Sequence, residues 1–421
     1  MYKQYFKLAL QSIRENPLVS SISIAGTALS IAMIMVVVLI FQIRSANYAP
    51  ETKRDRMLYV HGTEVNSNTR EGSRSRGKMS QEVVRECFYS LETPEAVTAI
   101  ASENKPVSLP GKRLFNRYKI KYTDSGFWSV FEFRFIKGTP FGQDDFSSGI
   151  CSAVVSEKLA KEVFGTTDVV GMTCILDFSE YTIRGVVKDV TVAATDAYAE
   201  MWVPYTSKSS YFIVNNTFEN MRGDFSVLIL AKKRSDFKLI EEELLKRTAM
   251  YNTGKKDFTV GFIDNPIRKT DIAMGSDDHH KVPVKEYLLN TGALLLFLLL
   301  IPTFNLTGVI QSSIQKRQEE IGVRKVFGAT SGRILSQIIW ENFILTFIGA
   351  LIGVLLSFLF LWLCKSFLLT EQTQLTFGML FKPWLFVAAL LFTFLLNVLC
   401  SGIPALQISR KNIVDILRNE K

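Results

Sequence analysis

The stretch Ile22-Ser-Ile-Ala-Gly-Thr-Ala-Leu-Ser-Ile-Ala-Met-Ile-Met-Val-Val-Val-Leu-Ile-Phe-Gln-Ile43 carries no charged residue. A helix rises about 1.5 Å per residue and the hydrocarbon core of a bilayer is roughly 30 Å thick, so about 20 consecutive apolar residues suffice to cross it. The run is longer than the roughly 7–15-residue apolar core of a signal peptide, and no small-x-small cleavage site follows it. An uncleaved membrane anchor is the reading. Three further segments have the same character, so the expected spans are residues 20–43, 287–311, 338–364 and 383–404.

Working outward, the charges give a direction. Lys3, Lys7 and Arg14 precede the first span. Lys316, Arg317, Arg324, Lys325 and Arg333 lie between the second and third, and Arg410, Lys411, Arg418 and Lys421 follow the fourth. The short loop 365–382 has only Lys365 and Lys382 at its edges. Basic short loops stay in the cytoplasm, which places both termini inside and residues 44–286 outside. Phe6, Ala9, Leu10 and Ile13 recur at helical spacing within residues 1–19, and Pro17 stops the pattern; this reads as an amphipathic helix on the cytoplasmic face. The net charge of +9 is carried by 49 Lys and Arg against 40 Asp and Glu. The mean hydropathy of +0.16 is intermediate between soluble and all-membrane chains. Because basic residues flank the spans, phospholipid head groups are the expected counter-surface and nucleic acid is not.

The fold class that follows is an α-helical membrane protein with four transmembrane helices and an α+β extracytoplasmic domain between the first and second. In that domain, 113–122, 131–135, 181–187 and 225–231 read as strands by alternation and aromatic content. Residues 156–164 and 236–250 read as helices, the second with Asp236 as N-cap and Leu239, Leu244 and Leu245 as its apolar stripe. Residues 68–77 read as a polar, Arg-rich loop, and 215–223 as a boundary between two lobes.

Little in the chain points to chemistry of its own. The histidines are His61, His279 and His280. The run Asp277-Asp-His-His280 does not carry metal-ligand spacing, since consecutive side chains do not converge on one ion. The five cysteines form no C-x-x-C pair; Cys364 and Cys400 lie in apolar spans, and spacing alone leaves open a disulfide between Cys151 and Cys174. No G-x-S-x-G, H-E-x-x-H or G-x-x-x-x-G-K-[ST] motif occurs, so no catalytic site and no cofactor are expected on this chain.

The informative segment is 312–337, above all Gln315-Lys-Arg-Gln-Glu-Glu-Ile-Gly-Val-Arg-Lys-Val-Phe-Gly-Ala-Thr330. Glu319 and Glu320 precede Arg324 and Lys325 by about one turn, so ion pairing supports a short helix. Ile321, Val323, Val326 and Phe327 supply an apolar strip, and Gly328 a stop. Apolar residues interleaved with paired charges suit docking onto another protein better than a solvated connector.

The string Glu319–Thr330 resembles the hallmark of the MacB/FtsX-like family of ABC transporter permeases, whose E-I-G-x-R-K-x-x-G-A core forms a cytoplasmic coupling element. Ser156-Glu-Lys-Leu-Ala-Lys-Glu-Val-Phe-Gly165, Val170-Gly171 and Ile183-Arg-Gly-Val-Val-Lys-Asp189 are similar to the family's periplasmic core domain. So is the stretch from Tyr122 through Phe127, Phe131 and Phe135 to Gly138. Pro404-Ala-Leu-Gln-Ile-Ser-Arg410 with Ile416-Leu-Arg418 is similar to its C-terminal signature in the tail 405–421.

The resemblance implies ATPase coupling through Arg317, Glu319, Glu320, Ile321, Gly322, Arg324, Lys325, Phe327, Gly328 and Ala329. It implies a separate cytoplasmic ABC ATPase that binds ATP and magnesium, because MacB carries a fused ATPase and this chain opens on the amphipathic helix. A permease homodimer or heterodimer in the cytoplasmic (inner) membrane is implied too, with room for a periplasmic or outer-membrane partner. Ala25, Ala28 and Ala32 on one face of the first span are assigned to dimer packing, with packing inside the chain as the alternative; Gly349-x-x-x-Gly353 is open to either. A membrane-tethered sensor and an FtsX-like activator of cell-wall hydrolases are the competing functions.

Overall fold

The computed structural model describes residues 17–69, 73–111, 116–208, 217–262, 266–276, 281–298 and 330–363, with isolated positions elsewhere. The amphipathic segment before Pro17, most of the segment after Phe297 as far as Thr330, and the fourth span lie largely outside these residues. The chain divides into two compact units, one built on residues 41–284 and one on the flanking segments.

Among the described residues, two helices are long and apolar enough to cross a membrane, Ser20–Ser45 and Phe343–Leu363. They belong to the longer helices Pro17–Ser45 and Ser331–Leu363. Residues 284–298, at the start of the second expected span, are also helical. The two long helices meet through small residues. A Cβ added at Gly353 would stand 2.6 Å from the carbonyl oxygen of Ala28, and one at Gly349 would stand 3.0 Å from Thr27 Cβ. Only glycine permits that approach, as expected where helices pack without a hydrophobic driving force. Ile31, Met35, Ala350 and Val354 close the contact. Ala28 and Ala32 are buried within the chain and Ala25 is exposed, so intrachain packing occupies most of the face assigned to dimer contact.

The outer unit is an α+β domain on a mixed ten-stranded sheet. Its strands are β1 (Met57–Val60), β4 (Ala96–Ser108), β5 (Asn116–Thr123), β6 (Phe135–Gly138), β7 (Ser152–Ser156), β8 (Thr173–Leu176), β9 (Ser179–Val187), β10 (Met201–Pro204), β11 (Ser226–Leu230) and β13 (Ile267–Arg268). The order is β13-β1-β11-β4-β5-β10-β7-β9-β6, with β8 on β4 and β9. β5 and β10 run parallel, as do β7 and β9; the other pairs are antiparallel. Both faces are covered. Leu58, Val60, Ala99, Ile120, Tyr122, Val203 and Ile229 point into one core, and Met57, Tyr59, Ile100, Val154, Trp202 and Leu228 into the other. The period-2 side-chain alternation therefore feeds two cores instead of one core and solvent. A three-stranded sheet, β12-β2-β3, is formed by β2 (Thr63–Ser67), β3 (Arg74–Gly77) and β12 (Phe258–Gly261).

Several expectations need correction. The Arg-rich loop at 68–77 ends in a strand: β3 pairs with β2, and the Arg76 Nε donates to Glu64 Oε2 at 2.6 Å. Its charges alternate with period 2 and find a carboxylate across the hairpin, which a turn-residue reading misses. Residues 215–223 do not divide two lobes, because β11 follows them and enters the large sheet between β1 and β4. Residues 131–134 are irregular and the strand begins at Phe135. The helix Phe237–Thr253 buries Phe237, Ile240, Leu244 and Thr248, while Leu239 and Leu245 are exposed. Positions 237, 240, 244 and 248 keep the i, i+3, i+4 spacing that the assigned stripe breaks. Asp236 holds the cap position, yet its carboxylate accepts from the N–H of Lys233 at 3.1 Å. In the helix Glu157–Phe164 the cap is made as the sequence suggests, Ser156 Oγ accepting from Leu159 N at 3.1 Å.

Trp202 is fully buried, packed edge-to-face against Trp128 and Phe133 with its Nε1 donating to Ala197 O at 3.1 Å. Trp202→Ala should cost about 3–5 kcal/mol, the usual range for removing a buried aromatic. Leu245→Ala on the exposed helix face should change stability by less than about 0.5 kcal/mol. Urea unfolding followed by circular dichroism checks both, and equal effects would contradict the two-core packing.

Candidate functional site

The first helix ends at Ser45, and its last carbonyls need donors. Arg54 supplies one of them, at Ile43. Its Nη1 donates to Ala46 O at 2.9 Å and Ile43 O at 3.3 Å, placing a cation at the negative end of the helix dipole. Its Nη2 donates to Tyr48 Oη at 2.7 Å and to Ala193 O at 3.1 Å, and the guanidinium lies 3.9 Å from the Tyr48 ring centre. Its Nε donates to Glu51 Oε2 at 2.5 Å.

Glu51 is fully buried, and Oε1 accepts from the backbone N–H groups of Asp196 and Ala197 at 3.2 and 3.1 Å. Lys269, in the short helix Lys269–Ala273 on the return towards the membrane, reaches Asp196 Oδ2 at 2.9 Å and Glu51 Oε2 at 3.5 Å. The other Asp196 oxygen stands 3.0 Å from His61 Nε2. Two carboxylates and two cations thus join three distant segments, 43–54, 193–197 and 267–269, in a buried and charge-balanced node.

The electrostatics follow the geometry. Burial works against the ionised form of Asp196, but Lys269 and His61 outweigh it and hold the carboxyl well below the usual range. Burial also works against charged Arg54, and Glu51 reverses the direction, so its pKa is raised. Burial pushes the Tyr48 phenol up to about 12. Next to the node, Lys121 lies on the Trp202 face of β5. It is buried, with Nζ donating to the carbonyl oxygens of Thr195 (3.3 Å) and Asp196. Burial brings its pKa down to about 7; Asp196 and Glu51 oppose the shift and the Lys119 and Lys78 charges add to it.

Of the residues assigned to ATPase coupling, Phe327 is described; it is exposed, and its N–H donates to Val323 O at 3.1 Å within one helical turn. Arg317, Glu319, Glu320, Ile321, Gly322, Arg324, Lys325, Gly328 and Ala329 lie outside the described residues. His279 and His280 do as well, and among the described residues no group of three His, Cys, Asp or Glu side chains could hold a metal ion. Cys151 and Cys174 are free thiols, not a disulfide, and burial pushes Cys174 up to about 12. Sequence reasoning missed the node entirely. Its one local signal is the i, i+3 pair Glu51–Arg54, which resembles any surface pair until the fold buries it.

Residues 20–247 match the family model of the MacB-like periplasmic core domain, and residues 292–413 match that of the FtsX-like permease C-terminal domain. The chain is 23% identical over 363 residues to the uncharacterized ABC transporter permease YknZ of Bacillus subtilis (strain 168), covering 83% of each. It is 21% identical over 425 aligned positions to the macrolide export ATP-binding/permease protein MacB of Shewanella sp. (strain W3-18-1), spanning 61% of that protein's length. The solved extracellular domain of the noncanonic ABC-type transporter YknZ from Gram-positive bacteria aligns with 48% of this chain and 99% of its own, at 17% identity and a TM-score of 0.34.

Lys121 generates a pH test. Unfolded lysine keeps its proton to about pH 10.4, whereas the folded group releases it near 7. The unfolded state therefore binds more protons from pH 7 upward, and folding stability contributed by this group rises with pH in that window. The buried tyrosines work the opposite way only from about pH 10. Between pH 7 and 9, the unfolding free energy of the native protein from urea titrations should climb relative to that of Lys121→Met, by an amount on the order of a few kcal/mol. Parallel curves would contradict a charge-averse Lys121 site.

Proposed function

The chain belongs to the family built on the MacB-like periplasmic core domain followed by the FtsX-like permease domain, and from that membership we propose that it is the permease subunit of an ABC transporter. It would work with a separate cytoplasmic ATPase that binds ATP and magnesium. In this reading four helices cross the cytoplasmic membrane, both termini are cytoplasmic, and the α+β domain works outside. Two permease copies, or one and a similar partner, assemble with two ATPase subunits. Nucleotide binding and hydrolysis move the coupling segment Lys316–Ala329, and the spans carry that movement to the outer domain.

The observation that carries the reading is the paired-charge, apolar-strip string Gln315–Thr330, which falls inside the residues that match the permease domain. A helix of this composition, held between two spans, suits docking on a protein at the membrane's cytoplasmic face. Apart from Asn305 and Glu341 the spans also carry no row of polar residues of the kind that lines an aqueous path, which suits mechanical transmission better than passage of cargo between the helices.

The test is association and turnover. The tagged chain, purified in mild detergent, should bring down an ATPase. Glu319→Ala, Glu320→Ala or Arg324→Ala should lower ATP turnover of that complex by about tenfold, the scale of losing an interface anchor worth roughly 1.4 kcal/mol. If association and turnover survive all three changes, the coupling assignment is wrong. A sensor, by contrast, brings down no ATPase.

A further inference from the structure

The buried ions around Arg54 are poorly explained as a source of stability. Taking four charges out of water costs about as much as their attraction returns, and well-packed apolar residues usually serve stability as well or better. What ions give that apolar contacts do not is direction, since each bond fixes an angle as well as a distance. Here local bonds from Arg54 to Glu51, Tyr48, Ala46 and Ile43 are joined to bonds between segments far apart in sequence. Arg54 ties the last turn of the first helix to Ala193, 139 residues on. Glu51 takes the backbone of 196 and 197, 145 and 146 residues on. Lys269 closes the ring from the segment returning to the membrane, sharing both carboxylates.

The exit from the first helix and the return segment are thereby bonded to one loop. That loop is itself locked in place: Trp202 Nε1 and Lys121 Nζ both donate to its carbonyls. Glu51, Arg54, Asp196 and Lys269 are each more than nine-tenths buried, so water does not compete for these bonds.

We propose that Glu51, Arg54, Asp196 and Lys269 are positioning residues that clamp the last turn of the first helix and the return segment to the sheet, so that these parts of the outer domain move as one body. The clamp deepens the permease reading and rests on it for its purpose, because movement arriving along the first helix is passed on only if the helix end cannot swivel. Arg54 sets the helix end, Glu51 and Asp196 are the shared acceptors, and Lys269 makes the return segment part of the same joint.

The experiment measures rigidity in the full chain, reconstituted with its ATPase in lipid nanodiscs. Spin labels are placed at Arg44→Cys and Lys232→Cys, both exposed, in a background without other reactive thiols. The native chain should give one narrow distance that is the same without nucleotide, with ADP and with a non-hydrolysable ATP analogue. Arg54→Gln should lose that single distance. Because Arg54→Gln removes one partner of a buried pair and can unfold the domain, Lys269→Met, which leaves the Glu51–Arg54 pair in place, provides the second variant. It should keep the domain's circular dichroism and ATP turnover yet broaden the distance, and Lys269→Arg should narrow it again.

A native distance that changes with nucleotide overturns the clamp, and so does a folded Lys269→Met variant as narrow as the native chain. The permease reading fails separately, if no ATPase accompanies the chain; the nucleotide-free widths still judge the clamp in that case.

Discussion

Arg54 is the constraint on which the outer domain's attachment depends. A helix leaving a membrane exposes four carbonyls at its end, and water, a capping turn or a side chain must satisfy them. In this chain a guanidinium reaches the Ile43 carbonyl and, just past the helix, that of Ala46, and the same group is held by Glu51 and the Ala193 carbonyl. One side chain therefore serves as helix cap and ion-pair partner, and as a link to a loop in the second half of the domain. An arginine suits this role because its planar fork offers five donors in fixed directions, and a lysine at the same place could not reach all of these acceptors.

The surrounding architecture makes the node necessary. With both faces of the large sheet covered, the loop 189–200 crosses the Trp202 face and would bury unpaired backbone groups there. Glu51 accepts from two of its N–H groups, while Arg54, Lys121 and Trp202 donate to its carbonyls. Charged side chains thus complete a backbone hydrogen-bond ledger that no strand partner could complete. The loop in turn supplies Asp196, the second carboxylate and the nearer of the two that compensate the buried charge of Lys269.

Much of the fold was legible in the sequence because it rests on local periodicity. Strands β5, β9 and β11 announce themselves by β-branched and aromatic residues, and Ser156 marks a helix start that the structure caps in the expected way. Legibility fails where tertiary partners decide. Leu239 and Leu245 look like a buried stripe, but the helix Phe237–Thr253 presents Ile240, Leu244 and Thr248 to the core. The Arg74–Gly77 stretch looks like a loop until Glu64 pairs with it. The node is the extreme case: Glu51, Arg54, Asp196 and Lys269 look like ordinary members of a charge-rich chain, and their burial is set by contacts 73 residues or more apart. The family was legible for the opposite reason, since it rests on short motifs in the sequence, and residues 20–247 and 292–413 match its two domain models.

The central claim is that exit and return segments share one charge centre, and a double-mutant cycle tests it most directly. Glu51→Gln, Lys269→Met and the double variant are compared by equilibrium urea unfolding of the full chain. Glu51→Gln leaves the buried Arg54 without its carboxylate and should cost about 3–5 kcal/mol, and Lys269→Met, which leaves Glu51 with Arg54 and Asp196 with His61, should cost less. If the two groups act in one node, the double variant should cost clearly less than the sum, with a coupling of about 1–3 kcal/mol. Additive costs, within about 0.5 kcal/mol, would mean that the two segments are held independently and would contradict the account.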